Sequence, residues 1–313
     1  MTGYILSRAS SAAKFSPSHS LDINARIHSC NLFSIYNLKW RQNILWVSLD
    51  APTEMTKNIL TQQIFARLKH SDVRSVCIDP KVGEKHLQSW AEACKQAKKP
   101  LYIRVPGGSN PRSVSPFQWI AKRFLDVSAT IVGCIAISPI LFVIALLVKM
   151  SSPGPIFYRQ WRVGSRGRLY QVWKFRTMVA NAESLHHKVM GQQAGLHKQE
   201  NDPRITTTGQ WLRKYSLDEL PQLLNVLRGE MSLVGPRPWA LYDALRVPES
   251  GLERLRAVPG ITGEWQVMAR SNLRDLASVT ECDLAYLRNW SIQRDLRLLM
   301  MTFPKVLTGF GAY

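Results

Sequence analysis

The stretch "RKYSLDELPQLLNV", residues 213–226, sets two carboxylates, Asp218 and Glu219, side by side between leucines. Arg213 and Lys214 precede them and Pro221 follows. Adjacent acids of this kind serve either a helix start or a reaction. Ser216 with Glu219 three residues on matches a capping box, and acids in a first turn favour the positive end of the helix dipole. Pro221 argues for a later start, because with Ser216 as N-cap its ring would press on the carbonyl of Leu217. The spacing predicts a helix with Asp218 at the N-cap and Glu219 at its first position, where an acid can meet an anion or a metal. Taken alone, the stretch leaves plain capping and chemistry both open.

Cations recur in the segments on either side. "IFYRQWRVGSRGRLYQVWKFRTM" (156–178) reads as two strands joined at "GSRG", and strand alternation puts Lys174 and Arg176 on one face. Two such cations by themselves also fit a solvated face. Gly235-Pro236-Arg237-Pro238 is a rigid turn that fixes the backbone around one guanidinium, a planar fork suited to phosphate. A purely structural turn is the other reading. Arg270 sits in a further glycine-containing loop, "VPGITGEWQVMARSNL" (258–273). The polar stretch 186–209 carries three histidines without zinc spacing, which read as surface residues of a loop.

These segments belong to a chain of 313 residues with 45% apolar content, enough for one large or two ordinary domains. Its 41 basic and 22 acidic residues give a net charge of +19, which points to an anionic partner: nucleic acid, anionic lipid or a phosphorylated small molecule. The five cysteines are scattered, so neither a metal site nor a disulfide scaffold is indicated and a reducing compartment fits. Residues 1–30 contain no apolar core of a secretory signal.

The elements that must position the acids come in three blocks. Residues 1–40 are Ser-rich and read as a loose tail. From 41 to 106, strands at 44–50, 73–79 and 100–105 alternate with helices at 53–70 and 83–99, implying a small parallel α/β domain without a Gly-rich phosphate loop. Residues 107–118 read as a linker. The third block, 119–313, opens on an uncharged run of 22 residues, Val127 to Val148, long enough to cross a hydrocarbon layer of ~30 Å. Ser138-Pro139 lies at its middle, where the proline deletes a backbone hydrogen bond and the serine hydroxyl can satisfy a freed carbonyl. Lys122 and Arg123 precede the run; Lys149, Arg159 and Arg162 follow it. A straight span would put one basic flank outside, against the positive-inside rule, so a re-entrant membrane helix hairpin over about 122–150 is expected, with a straight span as the rival. Near the end, 284–307 reads as one helix with apolar and basic residues, suited to a membrane interface or to the core.

Four segments in this order resemble the bacterial sugar transferases, the monotopic polyprenyl-phosphate phosphoglycosyl transferases: "KRFLDVSAT…ISPILFVIALLVKMSSPGPIFYRQWRVG", "YQVWKFRTM", "DPRITTTGQWLRKYSLDELPQLLNVLRGEMSLVGPRP" and "PGITGEWQVMARS". The resemblance covers about residues 119–313. It implies a re-entrant helix broken at Ser138-Pro139, on the cytoplasmic face of the bacterial inner membrane, with a mixed α+β catalytic domain. It implies transfer of a sugar 1-phosphate from a UDP-sugar to polyprenyl phosphate, with Asp218 as nucleophile, Glu219 as a Mg2+ ligand and Arg237 holding phosphate. Arg176 matches the basic position of the family's Lys-Phe-Arg segment. Because anion attacks anion, the site must supply cations, for which Lys174, Arg176, Arg204, Arg213, Arg237 and Arg270 are the candidates. Gln266-Val267-Met268-Ala269-Arg270 departs from the family's Gln-Val-(Ser/Asn)-Gly-Arg, which bears on the sugar and not on the reaction. A membrane-tethered protein that uses its charge to bind nucleic acid or anionic lipid is the competing class; it leaves the acid pair unexplained, and no nucleic-acid motif with stacking aromatics is present, so nucleic acid is not expected as a partner.

Overall fold

The structure, a computed structural model, describes residues 35–50, 56–105, 115–179, 182, 202–247, 249–269 and 275–308. The chain divides into two compact units, residues 1–109 with 167–169, and residues 110–166 with 170–313.

The first unit is a four-stranded sheet in the order β1 (Tyr36–Arg41), β2 (Ile44–Leu49), β3 (Ser75–Ile78), β4 (Leu101–Ile103). β2, β3 and β4 run parallel, joined by α1 (Lys57–Lys69) and α2 (Glu84–Gln96). Leu60, Ile64 and Leu68 of α1 and Leu87 and Trp90 of α2 are buried with Val47, Val76, Ile78, Leu101 and Ile103 of the strands. The expected parallel unit is present with one addition. All of Tyr36 to Arg41 but its last residue lies inside the segment read as a tail, yet it pairs antiparallel with β2 as an edge strand.

The second unit opens with α3 (Pro116–Ser151), a single 36-residue helix. Ser115 and Gln118 close a capping box at its start, and Pro116 takes the first turn, where no N–H is needed. Pro139 lies inside the helix without ending it. The carbonyl it leaves without an N–H partner, that of Ile135, accepts from the Ser138 hydroxyl at 2.8 Å. The apolar middle is exposed: Val132, Ile135 and Phe142 are 68%, 70% and 73% accessible. A core helix of a soluble domain would bury them, so the helix is built to face lipid.

Both ends of α3 are tied to the rest of the unit. Near its start, Arg123 donates to the carbonyls of Val226 (2.7 Å), Leu227 (3.3 Å) and Met231 (3.4 Å). Asp126 accepts from Ser232 Oγ at 2.8 Å and from Leu233 N at 3.3 Å. Near its end, Ile144 and Val148 are buried against Phe175 and Leu212, with Leu217 and Leu220 packed on the same cluster. Two strands, β5 (Phe157–Val163) and β6 (Leu169–Phe175), pair after it. Then come α4 (Thr207–Lys214), α5 (Leu223–Leu227), β7 (Ser232–Val234), α6 (Leu241–Leu245) and β8 (Gly260–Thr262), which runs parallel to β7. The stretch 284–307 holds not one helix but parts of two, α7 (Leu276–Arg288) and α8 (Ile292–Thr308). The break falls where Ser291 Oγ accepts from Arg294 N at 3.1 Å and starts α8.

Candidate active site

The acid pair sits on a 3-10 turn, Leu217–Gln222, between α4 and α5. The expected N-cap at Asp218 is two residues late. Ser216 occupies the N-cap position in a left-handed conformation (φ 54°) without a side-chain cap, and Glu219 N donates to Ser216 O at 3.2 Å. The clash foreseen for Pro221 belongs to α geometry, with its i−4 bonds. A 3-10 turn is wound tighter, on i−3 bonds, and accommodates the proline. Three residues per turn also explain the leucines that flank the acids. Leu217 and Leu220 eclipse on one edge and pack against the membrane helix, while Asp218 and Glu219 occupy the other edges. The acids are therefore fixed at the foot of the apolar helix by burial of their neighbours.

Cations from three elements converge on this turn. Glu219 Oε1 accepts from Lys174 Nζ of β6 at 2.6 Å and from Arg237 Nη2 at 3.1 Å. Arg213, in the last turn of α4, donates from Nε to Thr177 Oγ1 at 2.9 Å and lies within electrostatic reach of Asp218. Asp218 is 8% exposed. Burial pushes its carboxyl above the usual aspartate range, with Glu219 adding to the rise and Lys174, Arg213 and Arg237 opposing it. Burial likewise lowers Lys174, against the pull of Glu219 and Asp218. Arg237 is raised, because the Glu219 carboxylate outweighs its burial.

The turn bearing Arg237 is clamped from behind. Gly235 N donates to Thr262 O and Gly260 N to Pro236 O, both at 2.9 Å. A Cβ on Gly235 would stand 2.6 Å from the carbonyl oxygen of Val258, so only glycine lets these two backbones approach. Arg254 Nη2 holds the Arg237 carbonyl at 2.6 Å, while its Nε pairs with Asp283 at 2.6 Å and its guanidinium stacks 3.8 Å over the Trp239 ring.

Of the residues expected at the site, Asp218, Glu219, Lys174, Arg213 and Arg237 are brought together. Two are placed elsewhere. Arg176 is buried and donates to the carbonyls of Ser152 (2.6 Å), Pro153 (3.0 Å) and Val148 (3.4 Å) and to Ser152 Oγ (3.0 Å), closing the last turn of α3. Strand alternation does not carry Arg176 to the face of Lys174 because β6 ends at Phe175. Arg204 is buried in a bidentate pair with Asp202, at 2.6 and 2.8 Å. Arg270 lies outside the described residues, as do the three histidines. Sequence reasoning missed Arg162, which counted only as a flanking cation, and the tyrosines Tyr170 and Tyr242 near it. The alternation of Gln160 and Arg162 along β5 is the same signal that singled out Lys174.

A long apolar helix with an exposed middle has at its foot a buried acid pair ringed by guanidinium and ammonium groups, an arrangement that can hold a phosphate-bearing anion. The bacterial sugar transferase family model matches residues 117–309, and the chain belongs to that family. It is 38% identical over 229 residues to the exopolysaccharide production protein ExoY of Rhizobium meliloti, spanning 71% of this chain and 99% of that protein. It is 40% identical over 216 residues to a UDP-glucose:undecaprenyl-phosphate glucose-1-phosphate transferase of Caulobacter vibrioides, spanning 66% of this chain and 76% of the relative. Identity to the galactosyl transferase CpsE of Streptococcus agalactiae is 39% over 196 residues, 62% of this chain but only 43% of that longer relative.

Proposed function

We propose that this chain transfers a sugar 1-phosphate from a UDP-sugar to a polyprenyl phosphate and releases UMP, the first membrane step of exopolysaccharide or other glycoconjugate synthesis. The observation that carries the reading is the division of labour within the acid pair. Glu219 is gripped by two cations, while Asp218 is held among cations at the foot of the apolar helix. The relatives whose names specify glucose 1-phosphate transfer to undecaprenyl phosphate support it.

In the proposed first half-reaction an oxygen of ionised Asp218 attacks the β-phosphorus of the UDP-sugar. The new Asp–O–P bond forms as the bond to the bridging oxygen breaks, and UMP leaves with that electron pair. In the second, a phosphate oxygen of the polyprenyl phosphate attacks the same phosphorus, the Asp–O–P bond breaks and the carboxylate is restored. Burial raises the basicity of Asp218 and thereby its nucleophilicity, while Lys174, Arg213 and Arg237 offset the repulsion between carboxylate and diphosphate.

A divalent ion would be held by Glu219. Among the described residues no group of three His, Cys, Asp or Glu side chains surrounds a common point, so such an ion would take its remaining oxygens from substrate phosphate and water, as Mg2+ commonly does. When bound it supplies charge neutralisation of the diphosphate.

The same reading makes the helix re-entrant, with both flanks on the cytoplasmic face. In support, Arg123 binds the carbonyls of Val226 and Leu227 while Ile144 and Val148 pack against Leu217 and Leu220. A straight helix from 123 to 144 would run ~31 Å at ~1.5 Å per residue. Residues near both ends contact the segment 217–227, as a helix bent at Pro139 with both flanks on one face would allow. Cysteine labelling of positions 115 and 154 in intact cells tests this: protection of both is expected, and labelling of one alone returns the straight span.

The chemistry is tested by mass spectrometry of enzyme incubated with UDP-sugar but no acceptor. A hexose phosphate on the Asp218 peptide is expected, and Asp218→Asn should lose the adduct and roughly 10^3-fold or more of UMP release. An adduct on another side chain, or full turnover by the variant, overturns the assignment.

A further inference from the structure

The site holds one more guanidinium, which the reaction above leaves without a task. Arg162 lies in β5, and β5 docks on the residues that follow the Pro-Arg-Pro turn. Arg162 bridges antiparallel to Ala240, and Val163 N donates to Trp239 O at 3.3 Å. The Arg162 guanidinium lies within electrostatic reach of Arg237, Tyr242, Tyr170 and Glu219. Its hydrogen-bond partner is neutral: Nη2 donates to Gln160 Oε1 at 2.5 Å. Among the described residues no carboxylate forms an ion pair with it, although Lys174, Arg237, Arg204, Arg254 and Arg294 all have one.

A second observation points the same way. Tyr170, whose hydroxyl interacts electrostatically with Arg162, is only 5% exposed, and that hydroxyl has no hydrogen-bond partner. A buried hydroxyl without a partner and a guanidinium within electrostatic reach of a second guanidinium are both unfavourable until an acceptor arrives. A phosphoryl oxygen is an acceptor that could answer both donors.

We propose that Arg162, with the Tyr170 hydroxyl, forms a phosphoryl-binding subsite separate from the Lys174–Glu219–Arg237 clamp. The subsite rests on the reading of this site as one for phosphorylated substrates. Its ligand is a phosphate group, either of the nucleotide diphosphate donor or of the polyprenyl phosphate acceptor.

The test uses the full chain in membrane nanodiscs. Inorganic pyrophosphate should raise the melting temperature of the wild type, and Arg162→Gln should lose most of that rise while Arg162→Lys keeps part. This arm does not depend on sugar transfer, so it stands even if UMP release is never seen. Arg162→Gln should raise the KM of one phosphorylated substrate about tenfold or more and leave the other within about twofold. A shift in the acceptor-free burst of UMP release assigns the donor; a shift confined to the polyprenyl phosphate titration assigns the acceptor. Tyr170→Phe, which removes one hydroxyl, should shift the same KM in the same direction by less. The proposal is overturned if pyrophosphate stabilises Arg162→Gln as much as wild type, or if Tyr170→Phe and Arg162→Lys leave both KM values unchanged.

Discussion

Two buried charge clusters stand in the second unit, and they are built on opposite plans. Around Asp295 every charge is answered. Lys122 lies 2.5 Å from Asp295 and 3.5 Å from Asp126, Tyr286 and Trp290 donate to Asp295 at 2.6 and 3.0 Å, and Asp126 takes Ser232 and the Leu233 amide. This cluster ties the start of the apolar helix to α8. At the acid pair, Lys174, Arg213, Arg237 and Arg162 face two carboxylates, and two of those cations share a single oxygen of Glu219. Both clusters are buried and densely charged. What separates them is balance: the first is complete within the protein, whereas the second has positive charge left over for a ligand.

The comparison breaks if the two clusters respond alike to losing an acid. Asp295→Leu removes the nearer of the two carboxylates that answer Lys122 and leaves Tyr286 and Trp290 without their acceptor, which should cost about 3–5 kcal/mol of stability in chemical denaturation. Lys122→Met added to it should return little of that loss, because Asp126 then keeps a buried charge answered only by Ser232 and the Leu233 amide. Asp218→Asn should behave the other way. Since burial raises the folded pKa of Asp218, its ionised form is disfavoured in the folded chain above that pKa, and the penalty lifts as pH falls through it. At neutral pH the amide removes the penalty, so the variant should melt at or above the wild-type temperature. A clear loss of stability in Asp218→Asn would place the acid pair with the structural cluster.

Much of this organisation was legible in the residues, and the failures have physical causes. Periodicity located β2, α1, β3, α2 and β4 because each buries one regular face. β1 escaped because it is an edge strand: Asn37, Lys39 and Arg41 face solvent, and it adjoins a polar segment. The acid pair, Lys174, Arg213 and Arg237 were found from residue type within rigid or periodic segments. Arg176 and Arg204 show the limit of that approach. Residue type identifies a cation but not what it faces; one closes a helix end and the other holds a carboxylate two residues away. The 3-10 turn under the acids could not be told from an α-helical start, since both tolerate proline early and differ only in winding.

The smallest expected effect is also the sharpest probe of the unbalanced cluster. The proposed attack needs Asp218 ionised, so the acid limb of kcat should report its deprotonation in the substrate complex. Burial places that limb at higher pH than for an ordinary aspartate. Arg213 opposes the rise, because a neighbouring cation favours the carboxylate. Removing that cation in Arg213→Gln should therefore move the limb further up in pH and lower the rate at mildly acidic pH more than at alkaline pH. A rate loss equal at every pH would mean that Arg213 acts on the substrate alone and not on the state of Asp218. In the Asp295 cluster no such shift is expected: a folded Asp295→Asn variant should keep the wild-type limb, since its charges are answered locally and do not reach the attacking oxygen.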